Sequence, residues 1–335
     1  MHETRESSAA REPLLLYICG AGHSGSTLLD LLLGEHPSIV SVGEVSMLNH
    51  YLECAERICS CTRQAHRCPF WQKVMAELHV AAGGTPMRAD ESDAGALTMK
   101  RSRETPLDMR RALANTPSLR LQYLASGSYC IAGGSERGDN RWLRRIAPDI
   151  LSRADDIHRL FDTIRQVANA PVVLDSSKHS YRLRLLRAAR PNETKCVYLV
   201  RDGRAHMHSY MRREGFEATT AARQWVRLNR QARRMMAPIT PTHRIDLTYE
   251  GLCRDPEQTL RNVCTFAGLD HSKEMLEMNF HEMHNIGGNR ARFERFDAIR
   301  EDTRWREEMS SADKLVFERI GGRLNRELLG EHYRD

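Results

Sequence analysis

The chain has 335 residues, 41% of them hydrophobic and 28% charged, with a formal net charge of +6. That length buries a sizeable core as one large α/β domain or two small ones, and the composition is that of a globular protein. The charge suits an anionic ligand or a weakly basic solvated surface, and no nucleic-acid partner is read from it. Only six of the 50 basic residues are lysines, so a lysine in a motif stands out, and the arginine bias is expected of a GC-rich bacterial genome.

Residues 1–12 are polar and mixed in charge and read as a disordered tail. Residues 14–19 form an apolar run bounded by glycine, the pattern of a buried parallel strand. The run is too short for a signal segment or a membrane span, and no later stretch approaches 18 uncharged apolar residues, so the chain is read as cytoplasmic, with no transmembrane segment. A Gly/Ser loop follows, then a leucine-rich helix over 26–34 and a short strand over 38–42 that ends at Gly43 and Glu44.

Cys54, Cys59, Cys61 and Cys68 then cluster around His66. Thiolates and an imidazole at short spacing suit zinc, yet the spacing is not a pair of C-x2-C knuckles. A disulfide or redox pair, or simply packed thiols, are the alternatives. Residues 79–140 carry little strand signal, with glycine and proline loops between helical stretches.

Regularity returns with a strand over 171–175, a helix over 179–190, a strand over 195–200 and a helix beyond Gly203. Residues 217–236 have helical apolar spacing, and 243–248 are strand-like. Asp255 precedes Pro256 as a helix cap, Gly268 ends that helix, and Ser310 or Ser311 caps a last helix reaching Leu329. Strands alternating with helices predict an α/β fold: a P-loop-like three-layer α/β/α arrangement with a central, mostly parallel sheet and a helical insertion.

The loop Gly20-Ala-Gly22-His23-Ser24-Gly25-Ser26-Thr27 sits between the first strand and its helix. There the backbone N–H groups and the helix N-terminus make a cradle for phosphate. The string nearly fits G-x4-G-K-S/T, but Ser26 stands where the lysine would be. Since that lysine reaches the β- and γ-phosphates, its absence argues against a nucleoside triphosphate. Arg201 follows the 195–200 strand in the same way, and its planar fork suits a dianionic phosphate.

On these residues the chain resembles the sulfotransferases that use 3′-phosphoadenosine-5′-phosphosulfate (PAPS), in motif style the carbohydrate and tyrosylprotein branch. His23-Ser24-Gly25-Ser26-Thr27-Leu28-Leu29 is similar to the family's 5′-phosphosulfate loop, with His23 in place of Lys or Arg. Tyr198 through Arg201 to Ser209 resembles its 3′-phosphate motif, with Gly203 in place of proline. Thr248-Tyr249-Glu250 and the later Phe266 to Leu269 resemble a further block in which the tyrosine lies near the adenine. The stretch from Ile286 to Arg292 resembles the segment that closes over the nucleotide, which implies Arg290 or Arg292 at the 3′-phosphate.

The resemblance implies PAPS as co-substrate, held by Gly22 to Thr27, Arg201, Ser209, Tyr249, Arg290 and Arg292. It implies Glu44 as the general base, by likeness to the tyrosylprotein branch, and Lys178 as the cation at the sulfuryl group. His23 is either a protonated contact to that group or a neutral base. No metal is required for the transfer. The expected organisation is a single domain over 13–332, whose insertion at about 50–140 faces a small-molecule, glycan or lipid acceptor. The competing readings are a P-loop-type kinase or NTPase, and a non-catalytic nucleotide-binding protein with a Cys-rich interaction module.

Overall fold

The computed structural model describes residues 14–81, 121–122, 125, 128, 141–278, 283–294 and 298–334. The expected tail over 1–12 and most of the stretch over 79–140 lie outside the described residues. Strands β1 (Leu14–Gly20), β2 (Ile39–Gly43), β3 (Val172–Lys178), β4 (Thr194–Val200) and β5 (Arg244–Thr248) form one sheet in the order β2-β3-β1-β4-β5. All four pairings are parallel.

The apolar run of β1 is central, and its alternating side chains serve two cores. Leu15, Tyr17 and Cys19 face one layer, with Phe161 and Ile164 of the helix Pro148–Ala168 and Leu183 and Leu186 of the helix Ser180–Ala189. Leu14, Leu16 and Ile18 face the other, with Leu29, Leu32 and Leu33 of α1 (Ser26–Gly34) and Leu260 and Val263 of the helix Pro256–Ala267. The result is the three-layer α/β/α arrangement. Burying side chains of this kind contributes roughly 1.5–3 kcal/mol each before chain entropy is counted.

The predicted punctuation is present. Asp255 accepts a hydrogen bond from the Gln258 N–H at 3.0 Å, and Gly268 closes the same helix at φ +77°. Ser310 likewise accepts from the Asp313 N–H, at 3.1 Å. β3 runs three residues past the expected polar turn at Asp175, because Asp175, Ser176 and Ser177 are buried and Asp175 Oδ1 accepts from both the N–H and the hydroxyl of Ser177. The Cys-rich segment adds α2 (Leu48–Glu53) and α3 (Pro69–Ala81), with Trp71 of α3 fully buried. No helix among the described residues is long and apolar enough to cross a membrane.

Every strand ends at the same sheet edge, where open parallel sheets hold their ligands. The loops after β1 and β4, which are neighbours in the sheet but far apart in sequence, face each other there.

Candidate active site

The loop after β1 turns tightly. His23 and Gly25 both adopt positive φ, +60° and +86°. A side chain on Gly25 would run into the ring of Tyr249, and one on Gly20 would meet the carbonyl of Leu199 in β4. At Gly20 backbone thus approaches backbone, and at Gly25 backbone approaches a ring, where only glycine fits. The Ser24 hydroxyl is buried in this loop without a hydrogen-bond partner, as is Nε of Arg201 at the end of β4. Such orphaned donors in a glycine cradle suit an oxyanion.

The two loops are tied together. Arg201 donates to the carbonyl of His23 at 3.2 Å, and the Ser209 hydroxyl lies 3.2 Å from His23 Nδ1. The guanidinium of Arg201 stacks 4.5 Å over the Tyr249 ring and also meets Asp302 at 3.3 Å. The Tyr249 hydroxyl donates to the Arg300 carbonyl and accepts from the Asp302 N–H, so the segment 300–302 is pinned beside the loops. Hydrogen bonding from Arg304, followed by the charge of Arg201, holds the Asp302 carboxyl well below the usual carboxylate range. Glu250 accepts from the Asp202 N–H at 2.9 Å, and burial raises its pKa to about 7. The Tyr249-Glu250 pair therefore braces both loops at once.

Gly203 has a local cause. Its N–H donates to Asn325 Oδ1 at 2.8 Å, a bond proline cannot make, and the Phe317 ring occupies the space a side chain would need. Asp202 caps the following helix Gly203–Glu214 by accepting from the Arg204 N–H.

Glu44 and Lys178 come from neighbouring strand ends and form an ion pair between Oε1 and Nζ, with side chains 20% and 17% exposed. Lys178 sits at φ +69°, an uncommon conformation for a side-chain-bearing residue. Tyr17 of β1 supports that turn by donating to the His179 carbonyl and accepting from its N–H. Ser177 accepts from the Ser46 N–H at 3.0 Å, linking the turns that carry Glu44 and Lys178. Glu44 makes no side-chain cap for the short 3-10 turn Val45–Met47 that follows it.

A strap over 283–288 closes the site from outside β2. The Glu44 N–H donates to the Ile286 carbonyl at 2.5 Å, and Ile286 donates back to Val42 at 3.0 Å. Gly287 and Gly288 have positive φ, and side chains there would press on Glu44 and Thr27 respectively. The Asn289 N–H donates to the Thr27 hydroxyl at 3.2 Å, joining the strap to the β1 loop.

The sequence-predicted residues therefore separate into groups. Gly22 to Thr27, Arg201, Ser209 and Tyr249 surround the two facing loops, and Glu44 and Lys178 pair beside them. The His23 ring packs edge-on against Tyr210, and burial and then Arg213 hold its imidazole below the usual histidine range. Arg290 is exposed at the start of the 3-10 turn Arg290–Phe293. Arg292 reaches the other way, donating to the Tyr51 hydroxyl and the Ile58 carbonyl of the Cys-rich segment. Of the four cysteines, Cys59, Cys61 and Cys68 gather with His284, and Cys54 stands outside that group. Sequence reasoning did not find Asp302, Ser177 or His284. The first two lack a motif, and His284 lies more than 200 residues beyond the thiols it meets.

Two tied loops on adjacent strands of a parallel sheet, with a carboxylate and an amine at the next strand ends, are the frame of an α/β group-transfer protein. The family model of the sulfotransferase family matches residues 16–273, and the chain belongs to that family. A putative protein-tyrosine sulfotransferase of Caenorhabditis briggsae is 29% identical over 99 residues, which are 28% of this chain and 34% of that protein. The chain thus spans about a third of the length of this curated relative. Among solved structures, the sulfotransferase domain from the curacin biosynthetic pathway aligns at TM-score 0.52 and 17% identity, covering 94% of this chain and 98% of that one. The sulfotransferase domain of the Synechococcus PCC 7002 olefin synthase aligns at TM-score 0.48 and 18% identity, covering 96% and 98%. The likeness to the curacin domain is one of fold.

Proposed function

We propose that the chain transfers a sulfuryl group from PAPS to a hydroxyl or amine of a small-molecule, glycan or lipid acceptor by in-line displacement. The observation that carries this reading is the joining of the two loops, Arg201 and Ser209 on His23, beside the Glu44–Lys178 pair. The β1 loop would hold the 5′-phosphosulfate with its backbone donors and Ser24. Arg201 and Ser209 would hold the 3′-phosphate, which a nucleoside triphosphate lacks.

PAPS supplies an activated sulfuryl group on a phosphate leaving group. Glu44 takes the acceptor's proton as the new bond to sulfur forms. Lys178 neutralises charge on the bridging oxygen as the bond from sulfur to that oxygen breaks, so cations and backbone donors carry the charge without a metal. The kinase reading loses support from the same loop, where Ser26 replaces the lysine. The Cys-rich segment and the stretch to residue 140 are the proposed acceptor side. Action is assigned to the cytoplasm, where cysteine side chains are kept reduced.

The test is transfer of labelled sulfate from PAPS to a panel of phenols, sugars and lipids. Glu44→Ala and Lys178→Ala are each expected to lower kcat by about 10²- to 10⁴-fold. Full turnover by either variant would remove the assigned residue from the chemistry.

A further inference from the structure

We propose that Cys59, Cys61, Cys68 and His284 form a closed, structural zinc(II) site that fastens the strap over the active site to the Cys-rich segment. The metal site stands on its own geometry, and only its consequence for Glu44 rests on the reading above.

The segment builds the thiol side locally. Ile58 and Gln64 pair as an antiparallel bridge, the Ala65 N–H donates to the Arg57 carbonyl and the Cys59 N–H to that of Arg63, both at 2.8 Å. Thr62, at φ +67°, turns this small hairpin. It presents Cys59 and Cys61 toward Cys68, just before α3, and Cys59 and Cys68 are fully buried.

His284 arrives from the strap already oriented. Its ring stacks on Phe70 at 4.7 Å with an interplanar angle of 2°, and its carbonyl accepts from the Trp71 indole at 2.9 Å. Ser60, between the two hairpin cysteines, donates from its hydroxyl to the Met283 carbonyl at 2.5 Å. That hydroxyl also accepts from the Asn285 N–H at 2.7 Å. The residues flanking His284 are thus bonded to the residue between its prospective partner ligands.

The spacing fits a tetrahedral ion. All four ligand atoms lie within 4.8 Å of one another. Cys61 Sγ is 3.6 Å from Cys68 Sγ, and Cys68 Sγ is 3.3 Å from His284 Nδ1. With Zn–S about 2.3 Å and Zn–N about 2.0–2.1 Å, tetrahedral edges come to roughly 3.8 Å between sulfurs and 3.6 Å from sulfur to nitrogen. A disulfide would need two sulfurs about 2.05 Å apart and would leave a third thiol and the imidazole unused. Three thiolates and one imidazole prefer zinc over magnesium or calcium, and four protein ligands leave no open position for catalysis. On binding, the three thiols release their protons to solvent and the metal takes the thiolates. The zinc then holds His284 in place, and with it the strap whose Gly287 rests on Glu44.

The full chain, purified from zinc-supplemented medium, is to be analysed for metal by mass spectrometry. About one zinc per chain is expected, falling at least tenfold in Cys68→Ser and His284→Ala and retained in His284→Cys. Should the loss variants fail to fold, the wild-type chain exchanged into cobalt(II) is to be read instead. The visible bands and the thiolate charge-transfer band of a tetrahedral site with three sulfur ligands and one nitrogen are expected. A zinc-free, folded wild-type chain, a Cys61–Cys68 disulfide in peptide mapping, zinc retained in both loss variants, or a cobalt spectrum without thiolate bands would each overturn the site. None of these readouts depends on sulfuryl transfer, so this proposal and the assignment of activity fail separately.

Discussion

His23 stands where the related loops place a permanent cation, and its surroundings do not keep it charged. Burial and the nearby Arg213 favour the neutral imidazole, whose Nδ1 is engaged with the Ser209 hydroxyl. The basic side chains of the site are therefore Arg201 and Lys178, and His23 acts as the join between the two loops. Gly25 shows how little freedom that join has. It holds φ +86° with the Tyr249 ring against the position of a side chain. Gly25→Ala should cost about 1–2 kcal/mol from the left-handed backbone alone, before the displacement of Tyr249 is added. A lower melting temperature and at least tenfold weaker binding of adenosine 3′,5′-bisphosphate are expected, measured by thermal scanning and calorimetry. Wild-type values in both would show that the loop does not depend on this contact.

At the scale of elements, Asp30 joins α1, β2 and the strap. Its carboxyl oxygens accept from the Ser41 hydroxyl at 2.8 Å and from the Asn285 side chain at 2.9 Å. Full burial raises its pKa from 3.8 to about 7, against the smaller lowering effect of the Ser41 hydrogen bond. The folded state thus holds a proton here that the unfolded chain gives up near pH 4. This contribution to stability is complete below the unfolded pKa and is lost as pH rises toward about 7. Relative to Asp30→Asn, the wild-type melting temperature should therefore fall between pH 4 and pH 7 and run parallel above it. A constant difference across that range would mean that Asp30 stays ionised in the fold. Elements were legible in the sequence where a local pattern spoke plainly: the apolar runs of β1 and β4, and the capped helices beginning at Pro256 and Ser311. The helix Pro148–Ala168 escaped notice because its Asp- and Arg-rich outer face masks the stripe of Leu151, Ala154, Phe161 and Ile164, and no side chain caps its start.

For the molecule as a whole, legibility follows the distance along the chain over which a feature is assembled. Each proposed anion loop is a contiguous strand, turn and helix, so its residues could be named from sequence. The pairing of Glu44 with Lys178 waits on β2 lying beside β3, and the tie of Arg201 to Asp302 on a segment 101 residues away. His284, 216 residues beyond the Cys68 it meets, has no spacing signal at all. The proposal that these distant contacts create one pocket edge reading two separate phosphates of one nucleotide carries the assigned function. It is tested most directly by calorimetric titration of adenosine 3′,5′-bisphosphate in the presence of EDTA, with ATP and Mg²⁺ as the comparison. Metal-independent binding of the bisphosphate is expected, weakened by roughly 10- to 100-fold in Arg201→Ala, as befits a lost bond between charged groups, with no binding of ATP. Binding of ATP with Mg²⁺ and not of the bisphosphate, or full affinity in Arg201→Ala, would contradict it.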